Sequence, residues 1–395
     1  MRSFLIVLAG CGRLGFDPRA VGGDDGGVVV GDGTIPSLCS MTAEVCNGLD
    51  DDCNGLVDEG CPCMPVAMSI NETPAAHTTE LLWTGAGYLQ TTGNAAAVGL
   101  FPITTSGNLG AFVQVYNGAV GSTGGASSMA WSGSMLEVAY DHDMGPVEAM
   151  HYDPSTLVHA SVRLDATYPG ASPRVAWAGD HFVVAWIALA GGFITRDLSP
   201  SGALAGVEQL RVPALVGVVD DLQVTPTGAI ACVRSSGATT IVSIDAAGAA
   251  QTRPAALGSG SDCRLLAIPN GFLAWLARPN TPTPVPLVFL TTDGTTAGST
   301  MLHDPTPYAY YDVAIQRVAT GFWVLATHTT DALYGHAIDE LHLDFAGHAT
   351  AGPVELVAPF QANLWSSPRA VATGSVQTWT WAQAYATLTF TQACP

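Results

Sequence analysis

The sequence has no lysine, so all 13 of its basic residues are arginines, set against 33 Asp and Glu. Lysine-free usage fits a GC-rich genome better than any mechanism. Charged residues of any kind make up only 12% of the 395 positions, and the net charge is −20. That balance argues against nucleic acid and anionic membrane surfaces as partners, since both need a basic footprint. Long amphipathic helices are also scarce, as few charges and an abundance of breakers (44 Gly, 25 Pro) would dictate. Signatures of catalysis are missing as well: there is no G-x-S-x-G elbow, no H-E-x-x-H, and no Gly-rich phosphate loop opening a helix. What remains is 48% hydrophobic, ample for a real core.

That apolar content is organised as a repeat. "ELLWTGAGYLQTT" begins at Glu80, "SMAWSGSMLEVAY" at Ser128 and "RVAWAGDHFVVAW" at Arg174, so that Trp83, Trp131 and Trp177 fall 48 and 46 residues apart. Weaker copies begin at Leu222, Leu265, Gln316 and Arg369. Each is an apolar strand, a Gly turn and a second apolar strand. Segments such as "IVSIDAAGAA" and "LHLDFAGHATAG" add a third strand, an Asp-rich turn and a fourth. Units of four short strands at a fixed period are the mark of a β-propeller. A solenoid would need capping repeats, and stacked sandwiches would lack the period. The expected fold is all-β, a seven-bladed propeller closed by an N-terminal outer strand. The seventh copy, from Ser366, has room for three strands only, and "MPVAMSINET" (Met64 to Thr73) is the available fourth. The tryptophans read as inter-blade packing, with carbohydrate stacking as the alternative. Over about 320 residues the units resemble bacterial surface propellers built on V-A-W-x-G-x-x-F-V-V-A-W repeats.

Nine cysteines frame this array. Cys63 starts the closing strand and Cys394 ends its expected neighbour, so the ring geometry predicts a Cys63–Cys394 bridge. Cys232 on copy four and Cys263 on copy five sit on adjacent blades and can pair. Cys39, Cys46, Cys53 and Cys61 cluster, and two bridges inside one small module have three possible connectivities.

Between those four lies "CNGLDDDCNGLVDEGC". Counted from Asp50, oxygens fall at positions 1, 3 and 5, with Gly55 at position 6. That is the opening of the D-x-[DN]-x-[DN]-G calcium loop. Position 12 is Cys61 rather than Glu, and no helical pattern flanks the loop, so this is not an EF-hand. The candidate ligands are Asn47, Asp50, Asp52, Asn54, the Leu56 carbonyl, Asp58 and Glu59. The stretch Glu44 to Cys61 resembles a metal-binding repeat of surface proteins in some Gram-negative bacteria, a motif linked by name to copper. Hard carboxylate and amide oxygens, with no His or Met among them, favour Ca2+ instead. An acidic disulfide knot without an ion is the alternative.

The chain opens "MRSFLIVLAGC": one positive residue, a short apolar run and a small-residue site. The run is too short to span a bilayer. Leu8-Ala9-Gly10-Cys11 resembles the lipobox of bacterial lipoproteins, which implies that Cys11 is diacylated; Gly12 after it implies the outer membrane. Two acyl chains anchor stably. An ordinary secretory peptide is the alternative. The organisation expected is therefore residues 1–11 signal, 12–38 a Gly/Asp-rich tether, 39–63 a disulfide-rich metal module and 64–395 propeller.

Chemical candidates inside the propeller are few. Asp141, His142 and Asp143 sit together after the second strand of copy two, and a solvated turn explains them as well as a site does. His328, His336, His342 and His348 fall on different strands and turns. Sialidase-type S-x-D-x-G-x-T-W boxes are absent. The leading expectation is a non-catalytic surface protein for adhesion or scaffolding, with a protein or glycan partner. The alternative is a polysaccharide hydrolase or lyase with its site at the central pore.

Overall fold

The computed structural model describes residues 64–72, 77–94, 97–104, 110–117, 127–141, 146–156, 158–225, 228–236, 238–258, 260–279, 284–302, 310–318, 320–329, 335–361, 369–373, 376–383 and 386–393. Strand β1 spans Met64–Glu72. Blade 1 follows as β2 (His77–Trp83), β3 (Tyr88–Asn94), β4 (Ala97–Ile103) and β5 (Val113–Asn117). Blade 2 is β6 (Ser127–Trp131), β7 (Leu136–Asp141), β8 (Val147–Asp153) and β9 (Val158–Arg163). Blade 3 is β10 (Gly170–Trp177), β11 (Phe182–Ala188), β12 (Phe193–Leu198) and β13 (Gln209–Val212). Blade 4 is β14 (Val218–Thr225), β15 (Gly228–Ser235), β16 (Ala238–Asp245) and β17 (Ala250–Ala255). Blade 5 is β18 (Gly260–Ile268), β19 (Gly271–Pro279), β20 (Val285–Leu290) and β21 (Thr296–Leu302). Blade 6 is β22 (Tyr310–Val318), β23 (Gly321–Thr329), β24 (Gly335–Leu343) and β25 (Ala349–Gln361). Last come β26 (Arg369–Thr373), β27 (Val376–Gln383) and β28 (Ala386–Ala393).

The strands pair into antiparallel four-stranded sheets. Six of them are consecutive meanders, blades 1 to 6. The remaining sheet has the order β1-β28-β27-β26 and so joins the two ends of the described chain, with Met64 opposite Ala393. Innermost strands pack in succession, β2 on β6, then β10, β14, β18, β22 and β26, and β26 on β2 again. The expectation of seven blades is corrected to six. Six sheets are blades with described interiors; the terminal sheet is spliced from both ends and described by its backbone ladder; the module lies outside the described residues.

The sequence builds a blade from buried middles and wet edges. β7 and β11 are buried at every position, whereas β9 is exposed along nearly its whole length. Apolar runs such as "FVVAWIA" satisfy both faces of a strand sandwiched between neighbouring blades. The core is accordingly a series of clusters, each between two blades. Phe182, Val184 and Trp186 meet Ala139 and Ala149 between blades 2 and 3, and Phe322 and Val324 meet Leu273 and Leu287 between blades 5 and 6. Truncating one such aromatic would cost about 3–5 kcal/mol.

Turns repeat with the blades. Ser199, Asp245, Thr291 and Asp344 each take the backbone N–H of the fourth residue on, with a glycine at the third. At Gly271, with φ +151°, a Cβ would lie 1.9 Å from the Leu290 carbonyl oxygen, so only glycine closes that two-residue hairpin.

Candidate functional site

The pore is where the blades bring chemistry together. The ladders between each innermost strand and its neighbour set Glu80 opposite Thr91, Ser128 opposite Ala139, Arg174 opposite Ala185 and Asp221 opposite Cys232. They also set Arg264 opposite Trp275, Ala314 opposite Leu325 and Arg369 opposite Thr380. In every sheet this pair lies three steps from Trp83–Tyr88 or its counterpart. The positions on blades 1 to 6 therefore form one level, reading Glu, Ser, Arg, Asp, Arg, Ala, and Arg369 holds the same register in the terminal sheet. A cavity of about 420 Å³ opens on this level, lined by Glu80, Ser128, Asp221, Arg264 and Ala314, with Gln223 and Gln316 two residues further along their strands.

The level is also a joint between blades. Met129 N–H donates to Glu80 Oε2 at 2.6 Å, Val175 N–H to Ser128 Oγ at 3.2 Å and Leu265 N–H to Asp221 Oδ2 at 2.8 Å. In each case an acceptor at this level takes the backbone amide one residue past it on the next blade. Propeller blades share no backbone ladder, so side-chain acceptors of this kind satisfy amides at the inner edge. Asp221 Oδ1 also accepts the Leu222 N–H at 2.8 Å.

Beside this level, the buried carboxylate of Asp220 holds two blades. It accepts Nε and Nη2 of Arg234 at 2.8 and 3.1 Å, and the Cys263 N–H of blade 5 at 3.0 Å. Its own carbonyl accepts Arg174 Nε at 2.7 Å. The Cys232–Cys263 bridge expected from the sequence is present at this joint, with Cα atoms 6.1 Å apart.

Electrostatics follow from this placement. Glu80 and Asp221 are half-buried, open to the cavity yet ringed by protein. Burial pushes both carboxyls above the ordinary range, while Arg174 and Arg264 and the backbone amides pull the other way without cancelling it. At Arg264 burial works against the charge, but the field of Asp221, Asp262, Glu80 and Asp220 outweighs it and raises the guanidinium.

Other candidates disperse. Asp141 is buried at the end of β7 and accepts the Ser172 N–H at 2.6 Å, a structural role; His142 and Asp143 lie outside the described residues. His342 Nε2 meets Glu340 Oε1 at 2.9 Å, and exposed His348 Nδ1 meets Asp344 Oδ2 at 3.2 Å, so these two histidines serve different carboxylates. His328 and His336 belong to β23 and β24, opposite Ala337 and Thr329. Trp83 meets Tyr88 and Trp177 meets Phe182 in tilted contacts with ring centroids 4.7 Å apart, while Trp131 packs against the cluster between blades 1 and 2. Among the described residues no group of three or more His, Cys, Asp or Glu is placed to hold a metal. The ligand set Asn47, Asp50, Asp52, Asn54, Leu56, Asp58 and Glu59 lies outside them, as do Cys11, Cys39, Cys46, Cys53, Cys61, Cys63 and Cys394.

Sequence reasoning missed the pore level. Its signal was available: the first three copies begin on it, at Glu80, Ser128 and Arg174. The next copies, taken from Leu222, Leu265 and Gln316, start one or two residues past it, which leaves Asp221 and Arg264 out.

No family model matches the chain, and no curated protein matches it. Solved structures do. One titled "Structure of U3-55K" superposes with a TM-score of 0.56 at 10% identity, covering 83% of this chain and 99% of that one. A prolyl endopeptidase from a study of two such enzymes superposes with a TM-score of 0.49 at 10% identity, covering 78% of this chain and 46% of that one. The first likeness shows the β-propeller fold and nothing finer; the second supports no inference here.

Proposed function

We propose that this chain is an exported surface protein whose propeller recognises a ligand without transforming it. The observation carrying this reading is how the pore's carboxylates are used. Glu80 and Asp221 each accept a backbone amide from the neighbouring blade, so the groups nearest the cavity are joints of the ring. General acid–base work needs a carboxyl free to approach substrate within hydrogen-bond reach. The surrounding proposals come from sequence: an outer-membrane anchor at Cys11, a tether over residues 12–38, and a module that binds Ca2+ through Asn47, Asp50, Asp52, Asn54, Leu56, Asp58 and Glu59.

A second reading, a polysaccharide hydrolase or lyase at the pore, is favoured by one feature: burial raises both cavity carboxyls, as suits a general acid. One pair of assays separates the two. Full-length protein is screened on immobilised glycans and surface proteins, and in parallel incubated with the same polysaccharides while reducing ends and unsaturated uronates are measured. Binding without product supports recognition; product formation that Glu80→Gln abolishes supports the enzyme. Calorimetric titration of the full chain with calcium, beside an Asp50→Ala/Asp52→Ala variant, tests the module; equal or absent heats in both remove calcium from the proposal.

A further inference from the structure

We propose that the pore cavity is a binding site for a small, hydroxylated monocarboxylate of the sugar-acid class, with Arg264 taking the carboxylate. The proposal rests on the recognition reading above and gives it a ligand.

Arg264 is the odd member of the charged level. Of its four negative neighbours three are engaged elsewhere: Asp220 with Arg234 and the Cys263 amide, Asp221 with two amides, Glu80 with the Met129 amide; Asp262 is the fourth. Arg264 itself donates no hydrogen bond to any described residue, although it is half-buried and lines the cavity. A guanidinium offers five N–H donors in a planar fork, and a carboxylate matches two of them at once. Such a charge-assisted pair is worth roughly twice a neutral hydrogen bond.

The neighbours restrict the ligand further. Glu80 and Asp221 both act on Arg264, and they would repel a second negative charge. A phosphate or sulfate dianion is therefore disfavoured against a single carboxylate. Their remaining lone pairs, with the amides of Gln223 and Gln316, ask for several hydrogen-bond donors on the rest of the ligand. Hydroxyls supply these without adding further charge to the level. Leu82 and Leu266 line the cavity among these groups and give an apolar surface for ring C–H groups. A volume of about 420 Å³ is at the small end of ligand pockets and suits one sugar-sized molecule.

The test uses full-length protein with sodium glucuronate as probe, and glucuronamide, glucose and alanine beside it, read by saturation-transfer NMR and calorimetry. Glucuronate is expected to bind with a Kd of about 1 mM or tighter. Glucuronamide and glucose should bind at least about tenfold more weakly, because the amide keeps the shape and loses the charge. Arg264→Gln, checked for fold by circular dichroism, should abolish the signal; should that variant fail to fold, the glucuronate-to-glucuronamide ratio in the wild type carries the test alone. Absence of glucuronate binding at about 10 mM, equal binding of the amide, or tighter binding of alanine overturns the proposal. If glucuronate fails while another glycan or protein binds unchanged, recognition stands and this site falls. If glucuronate binds and its polymers are cleaved, the site stands and non-catalytic recognition falls.

Discussion

The Cys232–Cys263 bridge ties blade 4 to blade 5, and its removal has a calculable cost. The cross-link separates residues 31 apart in sequence. The chain-entropy relation for a loop of that length gives about 3.7 kcal/mol at 25 °C. Both sulfurs are fully buried, so replacing each with a methyl hydrogen loses roughly a further 0.8 kcal/mol of burial apiece. Cys232→Ala/Cys263→Ala should thus be destabilised by about 5 kcal/mol. The assay is urea unfolding followed by tryptophan fluorescence, under non-reducing conditions. The midpoint should fall and the slope should rise, since an uncrosslinked unfolded chain exposes more surface. A loss under about 1 kcal/mol, far below the entropic figure, would refute the reasoning. So would alkylation of two thiols per molecule at these positions in unreduced, denatured wild type.

Three further outcomes are expected. Asp220→Ala strands the buried Cys263 N–H, worth about 1–3 kcal/mol, and frees Arg234, which is 30% exposed and adds only about 1 kcal/mol after rehydration; thermal denaturation that leaves the midpoint unmoved would contradict this joint. Glu80 has a folded pKa raised above its unfolded value, so its contribution is fully present below the unfolded pKa and is lost as pH rises through the folded one; Glu80→Gln should flatten that decline in stability between acidic and neutral pH, and an unchanged slope argues against it. Finally, the β1–β28 ladder ends with Met64 opposite Ala393, and the flanking residues in sequence are Cys63 and Cys394; non-reduced peptide mapping should recover them joined, and recovery of either with another partner contradicts the expected closure.

Much of the fold was legible because it is written in a period. Trp83, Trp131 and Trp177 mark equivalent hairpins, and alternating apolar pairs around Gly turns mark the strands. The pairing of Cys232 with Cys263 was legible once adjacent blades were assumed. The expected count of seven blades failed, because the terminal sheet is not a contiguous sequence unit: its outer strand lies some 300 residues before its other three. The pore was legible only as the place of an alternative enzymatic site, and none of its residues could be named. Its members are one residue per blade, about 46 residues apart, and each looks alone like an ordinary strand-entry polar residue. Only strand register shows that Glu80, Arg174, Asp221 and Arg264 share one level.

That arrangement explains why a chain with so few charges places several of them in its interior. A ring of sheets joined only by side-chain packing leaves amides unpaired along its inner edge, and apolar residues there cannot satisfy them. Carboxylates at this level can, but two of them facing one cavity would repel, so arginines on other blades must offset the charge. Arg174 does so while anchored on the Asp220 carbonyl and its own neighbour, the Pro173 carbonyl. Among the described residues Arg264 supplies charge without such an anchor. A scaffold needs only the field of that guanidinium; its open fork of donors is more than the ring requires, and a surplus donor set facing a cavity is the feature that distinguishes a binding site from a joint.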